Sequence, residues 1–201
     1  MQKLLIATSN PGKVGEYKAQ LSDLPLELVS LKDIGLGSIE ETGKTFEENA
    51  ILKAKTYFEL SGLPCISDDG GLEIDYLNGE PGVYSRRSKT GDENVTDQEL
   101  IDFTLEKMKG VPEEKRTARL RLVMAFANKE GKMQTTEAAV EGVISETPAV
   151  NAVEGFPFRA VLYIAQFKKM YDDLTHEEHD MVNQRILAIK KLKPIIKESL
   201  A

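Results

Sequence analysis

Residues Arg116 to Asn128 and Met133 to Ile144 read as two long strands, joined only by Lys129-Glu130-Gly131-Lys132, a hairpin signal. The middle of the chain is thereby committed to paired strands. The flanks read differently. Lys3 to Ala7 is a short apolar run that stops at Thr8-Ser9-Asn10-Pro11-Gly12-Lys13, and from Val14 to Leu21 the pattern turns helical, giving strand, polar loop and helix. Leu26 to Leu31 alternates as a further strand, and Ile34 to Lys44, rich in Gly, Ser and Glu, reads as loop. Thr45-Phe46-Glu47-Glu48 fits a capping box, and Ile51, Leu52, Ala54, Tyr57, Phe58 and Leu60 carry a helix to Ser61. Leu77 to Gly82 is a turn, Val83 to Gly91 a basic loop, and Asp97 to Met108 a helix with Thr96 as its N-cap. A closing helix spans His179 to Leu200, with Val182, Ile186, Ile189 and Leu192 at helical spacing and Pro194 near its end. Residues 1–201 thus predict one mixed α/β domain, with two lobes and no repeat or linker.

Composition narrows the function class. A net charge of −7 argues against a broad nucleic-acid surface, so a polyanionic ligand would have to be met locally by a few lysines, arginines and a metal. No apolar run approaches the ~20 residues that span a bilayer. Met1 to Thr8 lacks the apolar core and cleavage site of a signal peptide, which makes the expected location cytoplasmic. Cys65 is the only cysteine, which excludes an internal disulfide and a cysteine zinc cluster; in its apolar run it reads as a small core residue rather than a nucleophile.

Three polar segments could carry chemistry. Asp68-Asp69-Gly70-Gly71 interrupts the apolar runs on either side, and because an unpaired buried carboxylate is costly, these acids are expected at a strand end. Asp-Gly is also a common turn dipeptide, so a solvated turn and a cation site both stay open. Thr8 to Lys13 has the helix N-terminus and the lysine of an anion site, yet it is not the nucleotide-binding consensus, and an N-capped turn explains Ser9 and Asn10 equally well. Glu40-Glu41 supplies acids from another loop: either they face solvent, or one of them joins an aspartate in holding Mg²⁺, which needs only one or two protein carboxylates. His176 and His179 are not in the zinc-protease order and read as a solvated helix start.

In order, the chain carries Thr8-Ser9-Asn10-x-x-Lys13-x-x-Glu16, Glu40-Glu41-Thr42-Gly43-x-Thr45-Phe46-x-Glu48-Asn49-Ala50-x-x-Lys53, Asp68-Asp69-x-Gly71-Leu72 and Pro81-Gly82-Val83-Tyr84-Ser85-x-Arg87. This succession resembles the Ham1/RdgB-type inosine triphosphate pyrophosphatases, which hydrolyse non-canonical purine nucleoside triphosphates in nucleotide-pool house-cleaning. The resemblance implies an α/β fold with a long, bent mixed sheet between two lobes, a nucleotide in the cleft between them, and a homodimer; from charge and hydropathy, as above, no nucleic-acid or membrane partner is expected. It also implies roles. Thr8, Ser9, Asn10 and Lys13 would cradle the triphosphate, with Lys53, Gly70 and Arg87 also on the substrate. Glu40 or Glu41 and Asp69 would bind Mg²⁺, Asp69 would serve as general base, and Asp68 would support the metal or its waters.

The resemblance weakens in the C-terminal third. Where the family has Gly-Phe-Gly-Tyr-Asp-Pro, this chain has Gly155-Phe156-Pro157-Phe158-Arg159-Ala160, and Ser-His-Arg is replaced by Asn183-Gln184-Arg185. His179 stands at a family lysine and Gly70 at a serine or threonine. Phe156, Phe158, Arg159, Gln184 and Arg185 are therefore expected at the base, in an altered pocket, and His179 at phosphate or sugar; a core role for both phenylalanines stays open, and is favoured for Phe158. Arg159 in place of a carboxylate turns a hydrogen-bond acceptor into a donor only.

Overall fold

Periodicity is realised in the order in which the sequence sets it. In the computed structural model, which describes residues 2–85 and 95–199, the elements run β1 (Gln2–Ile6), α1 (Pro11–Gln20), β2 (Leu26–Ser30), α2 (Phe46–Ser61), β3 (Cys65–Ile74) and α3 (Asp97–Lys107). The hairpin β4 (Thr117–Ala127) and β5 (Met133–Ile144) follows, then β6 (Leu162–Ile164), β7 (Lys169–Met170), α4 (His176–Val182) and α5 (Gln184–Ser199). The strands make one mixed sheet in the order β2-β1-β3-β4-β5-β6-β7. β1 is parallel to β2 and β3, while β6 is antiparallel to β5 and β7. The fold is α/β.

Two compact units interleave along the chain. The first comprises Met1–Asp69, Leu122–Ala138 and Gln184–Ala201; the second comprises Gly70–Arg121 and Ala139–Asn183. Each has its own core. In the first, Tyr17 of α1, Leu21 at its C-cap, and Ala188, Ile189, Leu192 and Ile196 of α5 pack with Leu4, Ile6 and Ile66. In the second, Leu100 and Ile101 of α3 pack with Leu72, Ile74, Leu120, Val140, Phe158 and Leu162.

Three local expectations change. Asp68 to Gly71 is no turn: all four residues lie inside the ten-residue strand β3. Polar side chains in mid-strand contradict apolar alternation, and only distant partners, described below, make them tolerable there. The C-terminal helix is two helices, because Asn183 leaves the helical region at φ −58°, ψ 113°. Pro194 lies inside α5, in its last two turns as expected, and is exposed. At the start of α2 Thr45 Oγ1 accepts from the Glu48 N–H, whereas the Glu48 carboxylate reaches the Lys44 N–H rather than that of Thr45.

Candidate active site

Adjacent residues on a strand point to opposite faces. In β3 this separates the two aspartates. Asp68 turns toward α1 and α5, and Asp69 toward α2, all within the first unit.

Asp68 is 2% exposed and fully engaged. Its Oδ1 accepts from the Tyr17 hydroxyl at 2.9 Å, and its Oδ2 from Lys13 Nζ at 2.8 Å and Arg185 Nη2 at 3.2 Å. Lys13 and Tyr17 lie at i and i+4 on α1, with Leu21 at i+8 as its C-cap, so the stripe that buries the tyrosine also aims the lysine inward. Burial alone would raise the Asp68 carboxyl, but Lys13, Arg185 and Lys53 outweigh it and hold it well below the usual carboxylate range. Burial lowers the Lys13 ammonium, with Asp68 resisting. Asp68 anchors this buried network.

Asp69 faces a different set. Asn49 Nδ2 donates to its Oδ2 at 2.9 Å, and Lys53 Nζ lies 3.6 Å from its Oδ1 and 2.8 Å from Glu41 Oε1. Asn49 and Lys53 are one turn apart on α2 and both buried. The loop carrying Glu41 is tied to the same helix: Asn49 Oδ1 accepts from the Gly43 N–H at 2.7 Å, and a Cβ at Gly43 would stand 2.8 Å from the Asn49 nitrogen. Glycine permits that approach. Glu41, half-buried, is thus the glutamate directed at Asp69, while Glu40 is exposed.

Burial pushes the Asp69 carboxyl above its ordinary range; Lys53 pulls it back, and Glu41 adds to the rise. Lys53 is lowered by burial, but Asp69, Glu41 and Asp68 outweigh this and raise it. Two carboxylates facing one ammonium are short of positive charge, which is the condition a hard cation relieves. Among the described residues no group of three or more His, Cys, Asp and Glu side chains gathers as a metal cage. Mg²⁺ requires none, since water and phosphate oxygens complete its shell. The oxygen donors of Glu41 and Asp69 fit it.

The first loop is an N-capped helix start. Asn10 Oδ1 accepts from the N–H groups of Gly12 and Lys13, Thr8 Oγ1 accepts from the Asn10 N–H, and Pro11 occupies the first helical turn. Ser9 is exposed. Lys13 and the positive end of α1 remain the features that suit an anion.

The residues expected at the base divide. Phe158 belongs to the core of the second unit, 8% exposed, and lines a cavity there with Ile74, Leu100 and Phe103. Arg159 is buried with its guanidinium 3.8 Å from the centroid of the Phe156 ring and 5.2 Å from that of Tyr171, a stacked cation. His179 meets Tyr171 edge-on and lies 3.0 Å from the Asn183 side-chain nitrogen, whereas His176 is exposed near Asp180. Gln184 and Arg185 are buried at the start of α5, and Gly70 directly follows Asp69. Arg87 lies outside the described residues.

Near the stacked arginine, burial pushes the Asp172 carboxyl up to about 6, although it accepts from the Val153 N–H and Arg159 opposes the rise. A carboxyl raised by folding costs stability once ionised, so stability should fall as pH rises from about 4 to about 6. Asp172→Asn is expected to unfold about 1–2 kcal/mol harder than the parent at pH 7.5 and to match it near pH 4, in urea titrations at both pH values.

Three residues of these networks carried no assigned role in the sequence: Glu16, Tyr17 and Asn49. The available signal was spacing, since Lys13 with Tyr17 and Asn49 with Lys53 each sit at i, i+4.

Residues 4–195 match the Ham1 family. A dITP/XTP pyrophosphatase from Shigella flexneri is 39% identical over 194 residues, covering 96% of each chain. Another from Bacillus licheniformis is 38% identical over 200 residues, 99% of this chain and 100% of that one. Among solved structures, a HAM1 protein from Coxiella burnetii superposes with a TM-score of 0.86 at 30% identity, covering 98% of this chain and 100% of that one. The Staphylococcus aureus Ham1 protein superposes with a TM-score of 0.83 at 29% identity, covering 98% and 99%.

Proposed function

The chain belongs to the Ham1 family, and from that premise we propose that it hydrolyses non-canonical purine nucleoside triphosphates of the dITP and XTP kind to a nucleoside monophosphate and pyrophosphate. The observation that carries this reading is the pairing of Glu41 and Asp69 across Lys53, with Lys13 held on the other side of the same strand. Asp69 takes the proton from the water that attacks the α-phosphorus; its raised carboxyl suits a base that must hold a proton briefly. The α–β bridging bond breaks and pyrophosphate leaves. Lys53 and Lys13 attract the charge that develops on the phosphate oxygens. Glu41 and Asp69 would hold Mg²⁺, which when bound neutralises and orients the triphosphate. The reading includes a cytoplasmic nucleotide pool as the setting and a homodimer as the working form. Among the described residues no helix is long and apolar enough to cross a membrane.

The test is a panel of triphosphates with Mg²⁺, measuring pyrophosphate release. dITP and XTP are expected to exceed dATP and dGTP in kcat/KM by at least ~100-fold, the scale on which one misplaced polar contact discriminates. Equal rates for all four would refute the house-cleaning assignment. A preference for a different base would favour a second reading, supported by the stacked cation Arg159: the same hydrolysis on another modified nucleotide.

A further inference from the structure

Arg185 extends the apolar stripe of α5, one turn before Ile189, and is 4% exposed. The resemblance puts this residue on substrate, and its guanidinium also bridges two carboxylates of the protein. Nη1 donates to Glu16 Oε2 at 2.6 Å, and Nη2 to Asp68 Oδ2 at 3.2 Å, the oxygen that also accepts from Lys13 Nζ at 2.8 Å. Tyr17 holds the other oxygen. We propose that Arg185, steered by Glu16, is a positioning residue that sets how firmly Asp68 holds Lys13, and so how readily the Lys13 ammonium engages a polyphosphate. The proposal rests on the reading that Lys13 meets the triphosphate.

Two cations on one carboxylate oxygen divide its charge, so each weakens the other's hold. Without Arg185, Lys13 would have that oxygen to itself, and a polyphosphate would compete with a stronger ion pair. Glu16 acts in the opposite sense. It draws the guanidinium away from Asp68, and neutralising it lets Arg185 lean further on that carboxylate and release Lys13. Removing either residue of an ordinary structural pair would do harm in both cases. Here the two changes should have opposite signs.

The experiment is a calorimetric titration of the full chain with inorganic tripolyphosphate and Mg²⁺, a readout independent of turnover and of the base. Arg185→Met is expected to bind about tenfold more weakly, the scale of one charge-assisted hydrogen bond. Arg185→Lys, which keeps the charge but lacks the fork, should recover to within about threefold of the parent. Glu16→Gln should bind two- to threefold more tightly, by about that factor, and the gain should vanish when combined with Arg185→Met. If Arg185→Met does not fold, Glu16→Gln and Arg185→Lys still decide. Weaker or unchanged binding by Glu16→Gln overturns the proposal, as does a Glu16→Gln gain that survives in the double variant, which would be a plain charge effect. A loss in Arg185→Met seen with nucleoside triphosphates and absent with tripolyphosphate also overturns it, because Arg185 would then be touching the nucleoside. A parent that binds no tripolyphosphate refutes the Lys13 reading itself.

Discussion

Replacing Asp69 with asparagine is expected to lower kcat by at least ~100-fold while nucleotide affinity stays within a few-fold of the parent, the signature of a lost base. The amide keeps the shape, and its oxygen can still accept from Asn49 Nδ2, so the strand and α2 should stay in register. What disappears is the proton acceptor and one of two carboxylates facing Lys53. Lys53 would then settle on Glu41, already 2.8 Å away. Measured by pyrophosphate release for kcat and calorimetry for affinity, a kcat within tenfold of the parent would remove Asp69 from the chemistry. Loss of binding in equal measure would make it a ligand-holding residue instead.

Asp68→Ala is expected to act on stability. It removes a carboxylate that is 2% exposed and leaves Arg185, Lys13 and the Tyr17 hydroxyl around a small void. Breaking a buried ion network by deleting one partner costs about 3–5 kcal/mol, and urea midpoints with an unchanged m-value should show it. Asp68 is held below the ordinary carboxylate range, so its contribution is present above that range and is lost as pH falls through it. The gap between parent and variant should therefore narrow below about pH 4. A destabilisation below ~1 kcal/mol at neutral pH would mean that the network is no stronger than a surface ion pair.

These two variants also mark where sequence stopped being informative. The strand–loop–helix start and the long hairpin were legible because apolar spacing is a local property, repeated over enough residues to outweigh exceptions. Asp68 and Asp69 read as a break because their polarity violates that spacing, and the groups that make it tolerable come from 55 and 117 positions away for Asp68 and from 20 positions away for Asp69. No window of sequence contains them together. Helical spacing runs straight from Val182 to Ile186, so nothing periodic announced the break at Asn183, whose side chain instead meets His179. Phe156 and Phe158 stand two residues apart in one motif; one lies under a guanidinium and the other, as the sequence favours, in the core. The ordered motifs conveyed which residues gather, and the alternation of β3 decided what each of them does.

That alternation has a cost in robustness. Two neighbouring acids look like a spare and its original, able to cover for one another. On a strand they cannot, because each is fixed to the face opposite its neighbour and surrounded by a different set of cations. A one-residue deletion upstream in β3 would move Asp69 into the sealed place of Asp68, and an insertion would move Asp68 into the place that faces Glu41, so neither shift leaves both acids served. The doublet therefore offers no backup: Asp68-Asp69 is two single points of failure placed side by side.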